Sequence, residues 1–190
     1  MIQLLAGLVV FLGVHSIPML PAFRRALMAR FGDGPYRLVF SVVALVGLVL
    51  IIHGYGAARM AGPPQLYDPP LWTRHLALLL MVPVFILLIA AYLPGRLKRM
   101  LRHPMLLAIK IWAFSHLLSN GDLASVLLFG SFLAWAVADR ISVKRRGLNG
   151  QGPLSERAGR NETIAIIGGL ALYAAFVVKL HEVLIGVPPI

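Results

Sequence analysis

The sequence predicts an all-α fold, a polytopic membrane helix bundle of about six transmembrane helices. Three observations carry that expectation. Of the 190 residues, 59% are hydrophobic and 13% charged, whereas a soluble domain has roughly 45–50% apolar and about 25% charged residues. The apolar residues fall into runs close to the length of about 20 that crosses a bilayer. The basic residues behind the net charge of +11 gather in the short stretches between those runs, where such residues set membrane orientation. That placement points to a lipid bilayer as partner and away from nucleic acid. Cysteine is absent, which excludes disulfides and thiolate ligands and leaves histidine as the strong transition-metal ligand.

The first run, residues 2–20, begins MIQLLAG without a basic residue, and its basic cluster follows the apolar stretch. This is the pattern of a retained helix rather than a cleaved leader. Pro18 and Pro21 kink or end it. The second and third runs, 36–55 and 71–93, are apolar all round, unlike helices that line a soluble core. The fourth, 103–119, is short. The fifth, 122–142, starts after Asn120-Gly121, a tight-turn pair, with Asp122 placed as an N-cap. In the sixth, 162–187, Gly168-Gly169 marks a close helix contact. The remaining stretches read as loops, the longest being 143–161, whose glycines, Pro153 and charges suggest a flexible surface loop.

The loops after the first, third and fifth runs hold Arg24, Arg25, Arg30 and Arg37, then Arg96, Lys98, Arg99 and Arg102, then Arg140, Lys144, Arg145, Arg146, Arg157 and Arg160. The opposite side has only Arg59 and Arg74. The positive-inside rule therefore makes the basic loops cytoplasmic and puts both termini outside. No internal repeat is evident, which weakens a transporter reading. No dinucleotide fingerprint, Walker A, HExxH or GxSxG motif is present. Asp122, Asp139, Glu162 and Glu182 fall at or near helix ends, so carboxylate-driven proton pumping is poorly supported.

The chemistry is concentrated in the stretch RHPMLLAIKIWAFSHLLSNGD, from Arg102 to Asp122. Polar groups inside hydrocarbon are costly and default to functional hypotheses. Arg102 and His103 sit at its start, where they either anchor a helix end or bind an acidic group such as a propionate or headgroup. Lys110 lies two turns on and can snorkel toward water. His116 shares a helix side with Trp112, about 120° from Lys110. An imidazole cannot snorkel far, so His116 either bonds a neighbouring helix or ligates a metal or haem against an aromatic wall. His15, in FLGVHS, offers the same two readings. His53 and His75 lie nearer the outer interface among Tyr55, Tyr67 and Trp72, an aromatic girdle.

FLGVHS, the RHP stretch with its histidine and NGD, and WAVADR in the fifth run resemble the NnrU family over most of the chain, which makes residues 1–190 a single NnrU-like transmembrane domain. These are multi-pass proteins of the bacterial inner membrane, so the termini would be periplasmic. Their genes are associated with nitrite and nitric oxide reduction, and the family is related to 15-cis-zeta-carotene isomerase. The resemblance implies haem b as cofactor. The isomerase holds its iron through a histidine near the start of the domain and another thirteen residues after the histidine of its RHP motif; these positions match His15 and His116. Ala113 stands where the isomerase has a cysteine, so thiolate ligation is excluded here. Trp112 would pack on the macrocycle, and Arg102, His103 and Lys110 would meet its carboxylates; His53 or His75 remain rivals to His15. The implied activity is nitrogen-oxide redox chemistry or haem-dependent cis-trans isomerisation. The other reading is a cofactor-free accessory protein that assists or regulates a nitrogen-oxide reductase.

Overall fold

A computed structural model describes residues 1–148 and 155–189. Among them the chain is helical, with α1 at Ile2–Ser16, α2 at Pro21–Phe31, α3 at Asp33–Met60, α4 at Leu71–Tyr92, α5 at Arg96–Leu101, α6 at Pro104–Leu117, α7 at Leu123–Arg145 and α8 at Ala158–Ala175. A π-turn, Phe176–Leu180, carries α8 into α9, His181–Ile185. Five stretches are long and apolar enough to cross a membrane, namely Ile2–Met19, Asp33–Met60, Leu71–Tyr92, Leu123–Arg145 and Ala158–Ile185. The fold is therefore a polytopic helical membrane bundle. The remaining expected span is α6, an apolar helix of 14 residues, short as its sequence predicts.

Several boundaries need correction: the second span runs over Asp33–Met60 rather than 36–55, and the stretch after the third run, read as a loop, contains α5. The stretch after the first span, read as a loop, contains α2. Pro18 falls in a 3-10 turn, Ile17–Met19, and Pro21 opens the new helix at its first turn, where a missing N–H costs nothing. The stretch 143–161 is helical at both ends, since α7 runs to Arg145 and α8 starts at Ala158; residues 149–154 lie outside the described residues.

The chain divides into two compact units. The first comprises Met1–Asp68 and Asn120–Val143. Here α1 and α3 pack along their length through glycines that bring backbones together. A Cβ on Gly7 would lie 2.6 Å from Ile51 N, and one on Gly47 would lie 2.8 Å from Phe11 N. A Cβ on Gly54 would strike the backbone of Leu4, whose own side chain is fully buried. Because lipid tails are as apolar as Leu, such close packing replaces the hydrophobic drive between membrane helices. Rings from α7 join this pair: Phe132 sits 5.7 Å from Phe11, and Phe129 6.1 Å from Tyr55.

The second unit comprises Pro69–Ser119 and Lys144–Ile190. In it α4 packs on α6 and α8 around Val84, Leu87 and Ala108, with Ile111 and Trp112 against that core. Gly169 meets the backbone of Ile86, 2.6 Å from where its Cβ would be, so the expected close contact at Gly168-Gly169 is found. Tyr173 donates its hydroxyl to the Leu78 carbonyl at 3.0 Å, one turn before Pro83 interrupts α4. The π-turn places Phe176 4.8 Å from Phe85. At the other end of α8, Asn161 donates to the Pro94 carbonyl at 2.8 Å, and Glu162 accepts from Leu97 N–H at 3.1 Å. These two side chains satisfy the turn between α4 and α5, whose groups no helix bonds.

Candidate histidine sites and a polar clamp

In the first unit, His15 stands on the last turn of α1. Its Nδ1 donates to the Phe11 carbonyl at 2.7 Å. A carbonyl can only accept, so this bond fixes the proton on Nδ1 and makes Nε2 the unprotonated nitrogen of the neutral ring. Three aromatic rings hold the imidazole: Phe11 at 4.2 Å, Phe40 edge-on at 5.2 Å and Trp135 edge-on at 6.1 Å. Trp135 is in turn held by its indole N–H to the Ser16 hydroxyl, 3.2 Å, and that hydroxyl donates to the Leu12 carbonyl at 2.7 Å. The ring is thus oriented from two helices, α1 and α7, with a third wall from α3.

In the second unit, His116 occupies the last turn of α6 and repeats the device. Its Nδ1 donates to the Trp112 carbonyl at 2.8 Å, and the two rings lie 5.4 Å apart. The expected pairing of Trp112 with His116 on one helix side is therefore present. His53 and His75 differ, being exposed and lacking a hydrogen bond from either ring nitrogen among the described residues. An imidazole that gives Nδ1–H to a carbonyl has its tautomer and rotation set for Nε2 ligation. On that donor chemistry both His15 and His116 fit an iron ligand. They belong to different units.

The other expected site residues are spread along α6 and its approach. Arg102 is exposed and ends α5 with φ 63°, a left-handed conformation that a side chain with a Cβ adopts at a cost and that clusters at functional sites. His103 Nε2 bonds the Leu148 carbonyl at 2.9 Å, which ties the start of α6 to the residues after α7. Lys110 is half-buried within α6. Thirteen residues separate His103 from His116, about 20 Å along a helix, so these groups occupy two levels of one helix and do not form one cluster.

A polar clamp in the first unit escapes the sequence reading. Asp122 does cap α7, its Oδ1 accepting the Ser125 N–H at 3.0 Å. Its Oδ2 also accepts from the Ser125 hydroxyl at 2.6 Å. Ser125, fully buried, meets the Tyr55 hydroxyl at 2.9 Å. Arg59 donates to Tyr55 at 3.2 Å and to Asn120 Oδ1 at 3.4 Å, and pairs with Asp122 at 3.5 Å. The loop after α3 docks on the same turn: Leu66 N–H donates to the Gly121 carbonyl at 2.8 Å, Leu123 N–H to the Pro64 carbonyl at 2.9 Å, and the Tyr67 hydroxyl to the Asn120 carbonyl at 3.0 Å. A Cβ on Gly121 would collide with the Tyr67 carbonyl, which is why glycine stands there. Ser125 has a carboxylate neighbour but no imidazole in this network, so the arrangement is built to fasten rather than to activate a nucleophile. The isolated Arg59 and the Asn-Gly-Asp turn were the available signals, but nothing in local periodicity joins residues some sixty positions apart.

The clamp has a testable pH limit. Burial, and then the negative charge of Asp122, raise the Tyr67 phenol above its ordinary value of 10.0. The folded pKa is raised, so the contribution of this bond is complete below pH 10 and is lost as pH rises through the shifted value. A tyrosinate absorbance titration, wild type minus Tyr67→Phe, should give a midpoint above 10; a midpoint at or below 10 would show that the phenol is not held in the clamp.

A family model described as NnrU protein matches residues 3–189. The match spans nearly the whole chain, and the protein belongs to that family. No curated protein and no solved structure gives a significant match.

Proposed function

We propose that this NnrU-family protein is a haem b-binding protein of the bacterial inner membrane that serves nitrite and nitric oxide metabolism. The observation that supports the reading is the shared state of His15 and His116. Both sit at the ends of apolar helices, both give Nδ1–H to a carbonyl one turn back, and both thereby present Nε2 as the basic nitrogen. In each, the Nδ1–H is held by a carbonyl of its own helix, which sets the rotation of the ring. His53 and His75, exposed, lack this preparation, which favours His15 and His116 over them as ligands, each within its own unit. Trp112 offers a ring beside His116, and Lys110, about 9 Å before it along α6, offers positive charge for a carboxylate; Arg102 and His103 stand about 20 Å from His116, at another level of the helix.

When bound, haem b would supply an iron centre whose potential is set by its axial ligands and which carries nitrogen-oxide or isomerisation chemistry. What the chain contributes is orientation. The Phe11, Phe40 and Trp135 rings restrict the His15 imidazole, and the Trp135–Ser16 bond keeps the indole in place. We place both termini on the periplasmic side, because the positive-inside rule would keep the stretches that carry Arg24, Arg25 and Arg30 and Arg96 to Arg102 in the cytoplasm.

The test is the optical spectrum of detergent-purified protein, oxidised and dithionite-reduced, after expression with ample haem. A stoichiometric Soret band with sharp reduced α and β bands is the expected result. A colourless protein that is helical by circular dichroism would end the haem reading and leave a cofactor-free accessory protein, whose signature is copurification with a nitrogen-oxide reductase.

A further inference from the structure

The geometry points to a binding site for an anionic phospholipid in the first unit, made from an apolar cavity under α2 and the arginines of that helix. The cavity has a volume of about 480 Å³ and is walled by α1, the 3-10 turn, α2 and α3. Its wall along α1 and the 3-10 turn runs from Val9 to Ile17, about 12 Å along the axis, within a stretch apolar and long enough to cross a membrane, and so offers length for an acyl chain. The lining contains no histidine, cysteine or methionine, and Tyr36 has its one polar side chain. Such walls accept hydrocarbon and offer an iron atom no nitrogen or sulfur.

The charge lies at one end. Helix α2 has no buried residue, yet it exposes Phe23 and Phe31 together with Arg24, Arg25 and Arg30. This is the composition of a helix that lies in the membrane interface. Leu27 and Phe31 line the cavity, and Arg24, one turn before Leu27, shares their face of the helix. The Arg30 guanidinium carbon stands 5.4 Å from the centre of the Phe31 ring, so a second positive charge sits at the cavity's rim. Nearby Asp33 is paired to Arg37 at 2.7 Å. Among the described residues Arg24, Arg25 and Arg30 have no carboxylate partner. A phosphodiester carrying a hydrocarbon chain satisfies both halves at once, its charge on the arginines and its chain in the slot.

The experiment uses the full chain in vesicles of phosphatidylcholine with spin-labelled phosphatidylglycerol or spin-labelled phosphatidylcholine, reading the motionally restricted lipid. Wild type should restrict phosphatidylglycerol in preference. Arg24→Gln with Arg30→Gln should reduce that preference about fivefold or more, the scale of one basic residue near an anionic surface. Gly13 lines the cavity and a Cβ there meets nothing within 4 Å. Gly13→Leu therefore fills the slot while improving helix propensity, and should remove the restricted phosphatidylglycerol with every arginine in place. Val39→Phe, on the α3 wall, is a second filling should the first not fold. Absence of a preference in wild type overturns the site. So does a preference that the arginine variant loses but a folded filling variant keeps, which would be diffuse attraction to the surface without a cavity.

Discussion

His116→Ala should abolish the Soret band of the haem-loaded protein or convert it to a five-coordinate spectrum, while its circular dichroism stays helical. His15→Ala should do the same. The reason lies in what each substitution removes. The Nδ1–H of each ring bonds a carbonyl within the same helix, so losing that bond unties no two helices and costs about 1 kcal/mol, to which His15→Ala adds the lost contact with Phe40 and Trp135. The haem would lose one of the two side chains proposed to hold it. His53→Ala and His75→Ala, both at exposed positions, should leave the band unchanged. An unchanged band in His116→Ala, or a band lost in His53→Ala and kept in His15→Ala, would reassign the ligands.

The second large effect concerns the seam between α1 and α3. Gly54→Leu should destabilise the protein by about 3 kcal/mol, at the upper end for overpacking, because the new side chain would begin inside the backbone of Leu4. The obstacle is main chain, which no rotamer change relieves, so α1 and α3 must separate. Gly56→Leu is the control on the same helix. A Cβ there meets nothing within 4 Å, and replacing glycine improves helix propensity. Thermal unfolding in detergent should show the first variant well below wild type and the second at or above it. Equal midpoints for the two would mean that α1 and α3 do not meet through Gly54.

The spans were legible in the sequence because hydrocarbon thickness imposes a length and an apolar composition that few other structures share. Their ends were less so. The second span is longer at both ends than 36–55, since Asp33 pairs with Arg37 across its first turn and Arg59 carries its last turn to Asp122. Composition alone marks charged turns as loop. The same bias hid α2, whose PAFRRALMARF is basic and short enough to pass as a connection. Gly168-Gly169 was legible as a contact from its adjacency, whereas Gly7, Gly47 and Gly54 were not, since 47 and 54 are seven apart and 7 lies on another helix. For the histidines, residue type and burial in apolar runs raised the ligand reading. The carbonyl bonds that set their tautomers follow from rotamers that a sequence does not show. The polar clamp was the least legible feature, because Tyr55 and Ser125 are each ordinary for a membrane helix and acquire meaning only together.

The docking of residues 64–67 onto the turn at 121–123 also bears on how the protein is made. When the loop after α3 leaves the ribosome, its acceptor carbonyl on Gly121 and the carboxylate of Asp122 have yet to be synthesised, and α4, α5 and α6 come first in the chain. Until then Arg59 has no counterion from the turn and Leu66 and Tyr67 have no acceptor on Gly121. The loop therefore closes on the Asn-Gly-Asp turn only after α4, α5 and α6 have been synthesised, which makes it a late contact in the making of the chain.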